Sequence, residues 1–211
     1  WEHLYHESYR EVYRLMYDHV KAANKNCQFG LHIWTNTSMN PIYRAEQDFA
    51  ELSRCADFLK LALYNNCGGP RMASYIQSIG ETVYGDLPRE QVAQFHYRVL
   101  NYPNEAPYPG VSEAGLSADY VGREVKRALD GRGPNGARIL AGIDVDIPLS
   151  DLDIVEGAQM AKAARTTRQR VREATAEALR AGADGIVISR KYSEMKLDNL
   201  SGIGDAVRAV S

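Results

Sequence analysis

Arg138-Ile139-Leu140-Ala141-Gly142-Ile143-Asp144-Val145-Asp146-Ile147-Pro148 decides how the rest of the chain is read. Side chains alternate along a strand. As a strand, this stretch turns Ile139, Ala141, Ile143 and Val145 to one face and Leu140, Gly142, Asp144 and Asp146 to the other. An apolar back with two carboxylates near the carboxyl end of the opposite face suits an α/β sheet whose strands deliver an active site. Both acids point the same way and are the first candidates for chemistry.

Working outward, three more stretches follow the same logic. Phe29 to Asn36 sets Leu31 and Ile33 against His32, Trp34 and Asn36. Ala56 to Asn66 sets Leu59, Leu61 and Leu63 against Lys60, Ala62 and Tyr64, and ends in a predicted loop through Asn65, Asn66 and Gly68-Gly69-Pro70. Gly185 to Arg190 is a short, continuously apolar run, the pattern of a parallel strand covered on both faces, and it delivers Arg190, Tyr192 and Glu194 to the next loop.

Helical patterns separate these strands. From Leu4 to Lys21, the residues Leu4, Ser8, Val12, Leu15, Met16 and Val20 recur at spacings of three and four, beside a row of Tyr5, Tyr9, Tyr13 and Tyr17. A single helix is expected after Pro41, burying Ala45, Phe49, Leu52 and Cys55 or Ala56. Further helices are expected over 88–100, after the cap Ser117, from about Thr167, and through Leu200 to Val210. Residues 67–137 form an insertion longer than a usual βα connection. Its proline- and tyrosine-rich part, 102–110, reads as a lid or wall over the site, or equally as a packing contact.

Composition narrows the classes. The chain has 211 residues, 45% hydrophobic and 25% charged, with a formal net charge of -2, which is ordinary globular composition. That balance gives no reason to expect nucleic acid, and no apolar run reaches the ~18 residues of a membrane span. Cys27, Cys55 and Cys67 lack metal-ligand spacing, so neither metal nor cofactor is expected. Trp1 opens the sequence already in helical pattern, so a preceding part of a longer protein is expected. A signal peptide there would make the protein secreted or periplasmic.

Four strands, each followed by a helix, call for parallel pairing with right-handed crossovers. A complete (β/α)₈ barrel typically takes ~250 residues. The expected fold is therefore one α/β domain over 1–211, the last four βα units of a TIM barrel. An N-terminal half or a second copy of the chain is expected to complete it.

Several strings taken together carry a resemblance: Trp34 with Asn36, Pro41-Ile42-Tyr43-Arg44-Ala45-Glu46, Tyr64-Asn65-Asn66-Cys67-Gly68-Gly69-Pro70, Gly142 to Pro148, and Ser189-Arg190-Lys191-Tyr192-Ser193-Glu194-Met195. The chain resembles, over nearly its whole length, the C-terminal half of uncharacterised glycoside-hydrolase-like TIM-barrel proteins of bacteria. The resemblance implies a carbohydrate substrate handled by carboxylates at the barrel mouth.

Glycosidases commonly place two carboxyl groups about the bond, ~5 Å apart for retention and ~6.5–9.5 Å for inversion. Asp144, Asp146 and Glu194 are the candidates. Asp146 is the expected reacting group, and Asp144 its deeper support, orienting His32 or pairing with Lys60. Glu194 reads as the acid, a substrate ligand or the N-terminal carboxylate of the last helix. Trp34 and Tyr64 could stack on a sugar ring, with His32, Asn36, Lys60, Asn65, Asn66, Arg190 and Tyr192 binding around it. Three other readings stand beside this one. Lys60 could be the Schiff-base nucleophile of a lyase or aldolase. His32, Asp144 and Asp146 could serve a metal-dependent hydrolase, although no HxH strand motif is present. The barrel could also bind carbohydrate without turning it over.

Overall fold

The computed structural model describes residues 1–145, 166–189 and 195–210. Helix α1 (Glu2–Ala23) leads into β1 (Gly30–Ile33), and three short helices follow: α2 (Asn36–Met39), α3 (Pro41–Glu46) and α4 (Phe49–Ser53). Strand β2 (Phe58–Ala62) is followed by α5 (Asn65–Glu81), α6 (Arg89–Leu100), α7 (Val111–Ala114) and α8 (Ala118–Arg132). Then come β3 (Arg138–Asp144), α9 (Arg168–Arg180), β4 (Gly185–Ser189) and α10 (Leu197–Val210). No described helix is long and apolar enough to cross a membrane.

The sheet is all parallel, and its spatial order β1-β2-β3-β4 follows the chain. Right-handed crossovers that always step the same way lay every connecting helix on one side. Burial agrees with that rule. Leu31, Ile33, Leu59, Leu61, Leu63, Ile139, Ala141, Ile143 and Val145 share one core with Met72 and Ile76 of α5, Val92 of α6, Val121 and Val125 of α8, and Val171 of α9. Each of the Val, Leu, Ile and Met side chains among them contributes roughly 1.5–3 kcal/mol by leaving water. On the opposite face His32, Lys60, Leu140 and Val187 all keep solvent contact. Among the described residues β1 and β4 each pair with one strand only, so the sheet is not closed into a barrel.

A buried ionic knot fixes the segment after β1. Glu124 of α8, 1% exposed, accepts from Arg44 Nη1 at 2.6 Å, Arg127 Nη2 at 2.8 Å and Ser38 Oγ at 3.0 Å. Burial pushes its carboxyl pKa up, but Arg127 and Arg44 outweigh burial and hold it below the ordinary glutamate value. The knot ties α2 and α3 to α8, and so sets where the chain leaves β1.

Several sequence expectations are corrected. The stripe of α1 containing Leu4, Val12, Leu15 and Met16 is exposed, while Tyr13 and Tyr17 pack on the core. The helix expected after Pro41 is broken into α3 and α4, because Asp48 caps the second by accepting from Glu51 N. Gly68-Gly69-Pro70 lies inside α5 rather than in a loop. A Cβ on Gly69 would meet the Val111 carbonyl at 2.2 Å, so this glycine serves close packing against the segment around α7. Of the readings offered for 102–110, packing is what Tyr102 does: it is fully buried and stacks edge-on against Tyr120 of α8. Strand β4 is not covered on both faces, since Ile188 is 41% exposed.

Candidate functional site

The uncovered face carries its polar groups toward the carboxyl ends of the strands, the usual place for a site in parallel α/β structures. His32 and Lys60 are register partners on adjacent strands, so their side chains stand side by side. Lys60 leans over β3. A Cβ on Gly142 would lie 2.6 Å from its Cε, so the absent side chain of Gly142 is what makes room for it. Lys60 Nζ donates to the Tyr64 hydroxyl at 2.5 Å, and that hydroxyl donates to Ser189 Oγ at 3.2 Å. The result is a lysine–tyrosine–serine chain running across β2, β3 and β4. His32 stacks edge-on against Trp34 with ring centroids 5.3 Å apart, and Trp34 is 60% exposed. Desolvation, and after it the Lys60 charge, lower the His32 pKa below its ordinary value, which favours the neutral ring.

The other predicted residues divide into two groups. Asp144 is fully buried at the end of β3, but it neither orients His32 nor pairs with Lys60. Its carboxylate accepts from Cys67 N at 2.9 Å and Asn66 N at 3.3 Å, and from Asn66 Nδ2 at 3.2 Å. These are first-turn amides of α5, which lack intrahelical partners and favour negative charge. Burial raises the Asp144 pKa, and the bonds from Cys67 and Asn66 only partly oppose it. Asn65 and Asn66 are buried and committed to the framework. Asn65 Nδ2 donates to Leu116 O at 3.3 Å, and Asn66 Oδ1 accepts from Arg170 Nε at 2.8 Å. Asp146, Arg190, Tyr192 and Glu194 lie outside the described residues.

A groove of about 1110 Å³ opens beside β1. Its wall includes His32, Trp34 and Asn36, together with Tyr5 and Tyr9 of α1 and Tyr43 of α3. Asn36 is exposed at the start of α2. The structure thus brings His32, Trp34 and Asn36 together at this groove, with Lys60 and Tyr64 next to them across the sheet. Aromatic faces beside amides and a cation suit a polar ring-shaped ligand. Ser189 was not singled out from the sequence, although the alternation Gly185, Val187, Ser189 places it on the Lys60 face. For the tyrosine row of α1 the sequence favours packing over a ligand stack, and the fold places Tyr5 and Tyr9 at the border of the groove. Among the described residues, no three His, Cys, Asp or Glu side chains are grouped as metal ligands.

No protein-family model matches the chain, and neither a curated protein nor a solved structure matches it.

Proposed function

We propose that these four βα units belong to a carbohydrate-acting hydrolase of the (β/α)₈ type, with further strands pairing along the free edges of β1 and β4. The observation that carries this reading is the uncovered sheet face, where Trp34, His32, Lys60 and Tyr64 gather at the strand ends. Trp34 supplies a surface for the apolar side of a sugar ring, while Asn36 and Tyr64 supply hydrogen bonds. With Asp144 engaged by α5, the reacting carboxylate is assigned to Asp146, which the sequence also favoured and which lies outside the described residues. Its partner in a two-carboxyl mechanism is Glu194 or a residue on another strand.

Release of reducing ends from a panel of oligosaccharides tests this reading. Hydrolysis by the wild-type protein, reduced at least about 100-fold in Asp146→Asn, supports it. Equal turnover by both proteins would remove Asp146 from the chemistry. The contact between Lys60 and Tyr64 favours a second reading, a Schiff-base lyase in which Lys60 attacks a carbonyl and Tyr64 moves the proton. Borohydride in the presence of an aldehyde or ketone sugar would then leave a covalent adduct on Lys60, whereas a hydrolase leaves none.

A further inference from the structure

Lys60 is a half-buried cation on the candidate face, and among the described residues the groups beside it are neutral. Its hydrogen-bond partner Tyr64 is a phenol that passes its own proton on to Ser189. Its register neighbour His32 is held toward the uncharged form, in part by Lys60 itself. Asp144 is the described carboxylate on the same sheet face. It is turned away and neutralised by the first-turn amides of α5. Among the described residues no carboxylate hydrogen-bonds or ion-pairs with Lys60. A cation withdrawn partly from water favours an anionic partner. The position is built, since Gly142 clears the space for the lysine stem and the Tyr64 hydroxyl fixes its end.

We infer that Lys60 is the seat of a ligand carboxylate, and that the substrate is an acidic sugar containing a uronic acid unit. This rests on the carbohydrate reading above and adds the charge of the substrate to it. The carboxylate accepts from Lys60 Nζ in a charge-assisted hydrogen bond. Trp34, beside His32 on the neighbouring strand, offers its exposed face to the sugar ring. No covalent step is involved, because Lys60 selects the ligand and does not react with it.

Calorimetric titration of the wild-type protein with glucuronate, glucose and acetate tests the inference. The expected result is glucuronate binding about tenfold or more tighter than glucose, a preference that weakens with added salt. Acetate should be the weakest of the three, because it lacks the ring. In Lys60→Met the preference for glucuronate over glucose disappears, and in Lys60→Arg it is retained. Equal affinities for glucuronate and glucose would overturn the acidic-sugar inference and leave the carbohydrate reading standing. Acetate binding as tightly as glucuronate would make the seat one for carboxylates in general and overturn the sugar acid as its ligand. Binding of neither sugar would overturn both readings. The wild-type comparison decides the matter even where a Lys60 variant fails to fold.

Discussion

The two faces of the sheet are made by alternate residues of the same strands, yet they meet different surroundings. On one face Leu59, Leu61, Ile139 and Ile143 are 0–3% exposed and locked among helices. On the other, Lys60 and His32 keep solvent contact, and a hydrogen-bonded chain replaces apolar packing. The difference follows from topology. A sheet whose strand order equals chain order covers itself on one side only, and the uncovered side is left for ligands or for further strands. Apolar packing and polar groups thereby fall on alternate positions of one strand.

That division is broken or sharpened by substitution. The largest loss is expected for Glu124→Ala in the helical layer, which strands Arg44 and Arg127 around a buried vacancy and costs about 3–5 kcal/mol in chemical denaturation. Because the folded pKa of Glu124 is lowered, its contribution is present above the unfolded glutamate pKa and is lost as pH falls through the folded value. Next comes Leu59→Ala on the covered face, with an expected loss of about 2–5 kcal/mol. A cost under about 1 kcal/mol would contradict a close-packed covered face.

Asp144→Ala leaves the α5 amides without their acceptor, and about 1–3 kcal/mol should be lost at acid pH. The sign of its pH dependence is opposite to that of Glu124. With the folded pKa raised by burial, the Asp144 contribution is fully present below the unfolded aspartate pKa and is lost as pH rises through the folded pKa. The Tm gap between wild type and Asp144→Ala should narrow over that interval, and a widening gap would contradict the assigned shift. The smallest effect belongs to Lys60→Met, next in sequence to Leu59. Its stability should stay within about 0.5 kcal/mol of wild type.

Much of this was legible in the sequence. Period-two alternation placed β1, β2 and β3, a continuously apolar run placed β4, and alternation assigned Ile139, Ala141, Ile143 and Val145 to one face and Lys60, Ala62 and Tyr64 to the other, as found. The expected cap Ser117 and the expected helix start near Thr167 both marked their helices correctly. The partner of Asp144 was not legible. Alternation gives the face of a side chain but not what meets it, and the amides of Asn66 and Cys67 reach Asp144 only because α5 begins three residues after β2 ends on the neighbouring strand. Gly68-Gly69-Pro70 misled for a related reason. In isolation these residues disfavour helix, but here the glycines admit the segment around α7 and tertiary contact overrides propensity.

The face bearing Trp34, Lys60, Tyr64 and Ser189 at the strand ends is proposed as the ligand site. The most direct test is backbone amide shift mapping during titration with an oligosaccharide containing a uronic acid unit. Perturbations should cluster at 32–36, 60–64 and 187–189, where Trp34, Lys60, Tyr64 and Ser189 lie. Perturbations confined to α6 and α8 on the helical side, with the strand ends silent, would contradict it.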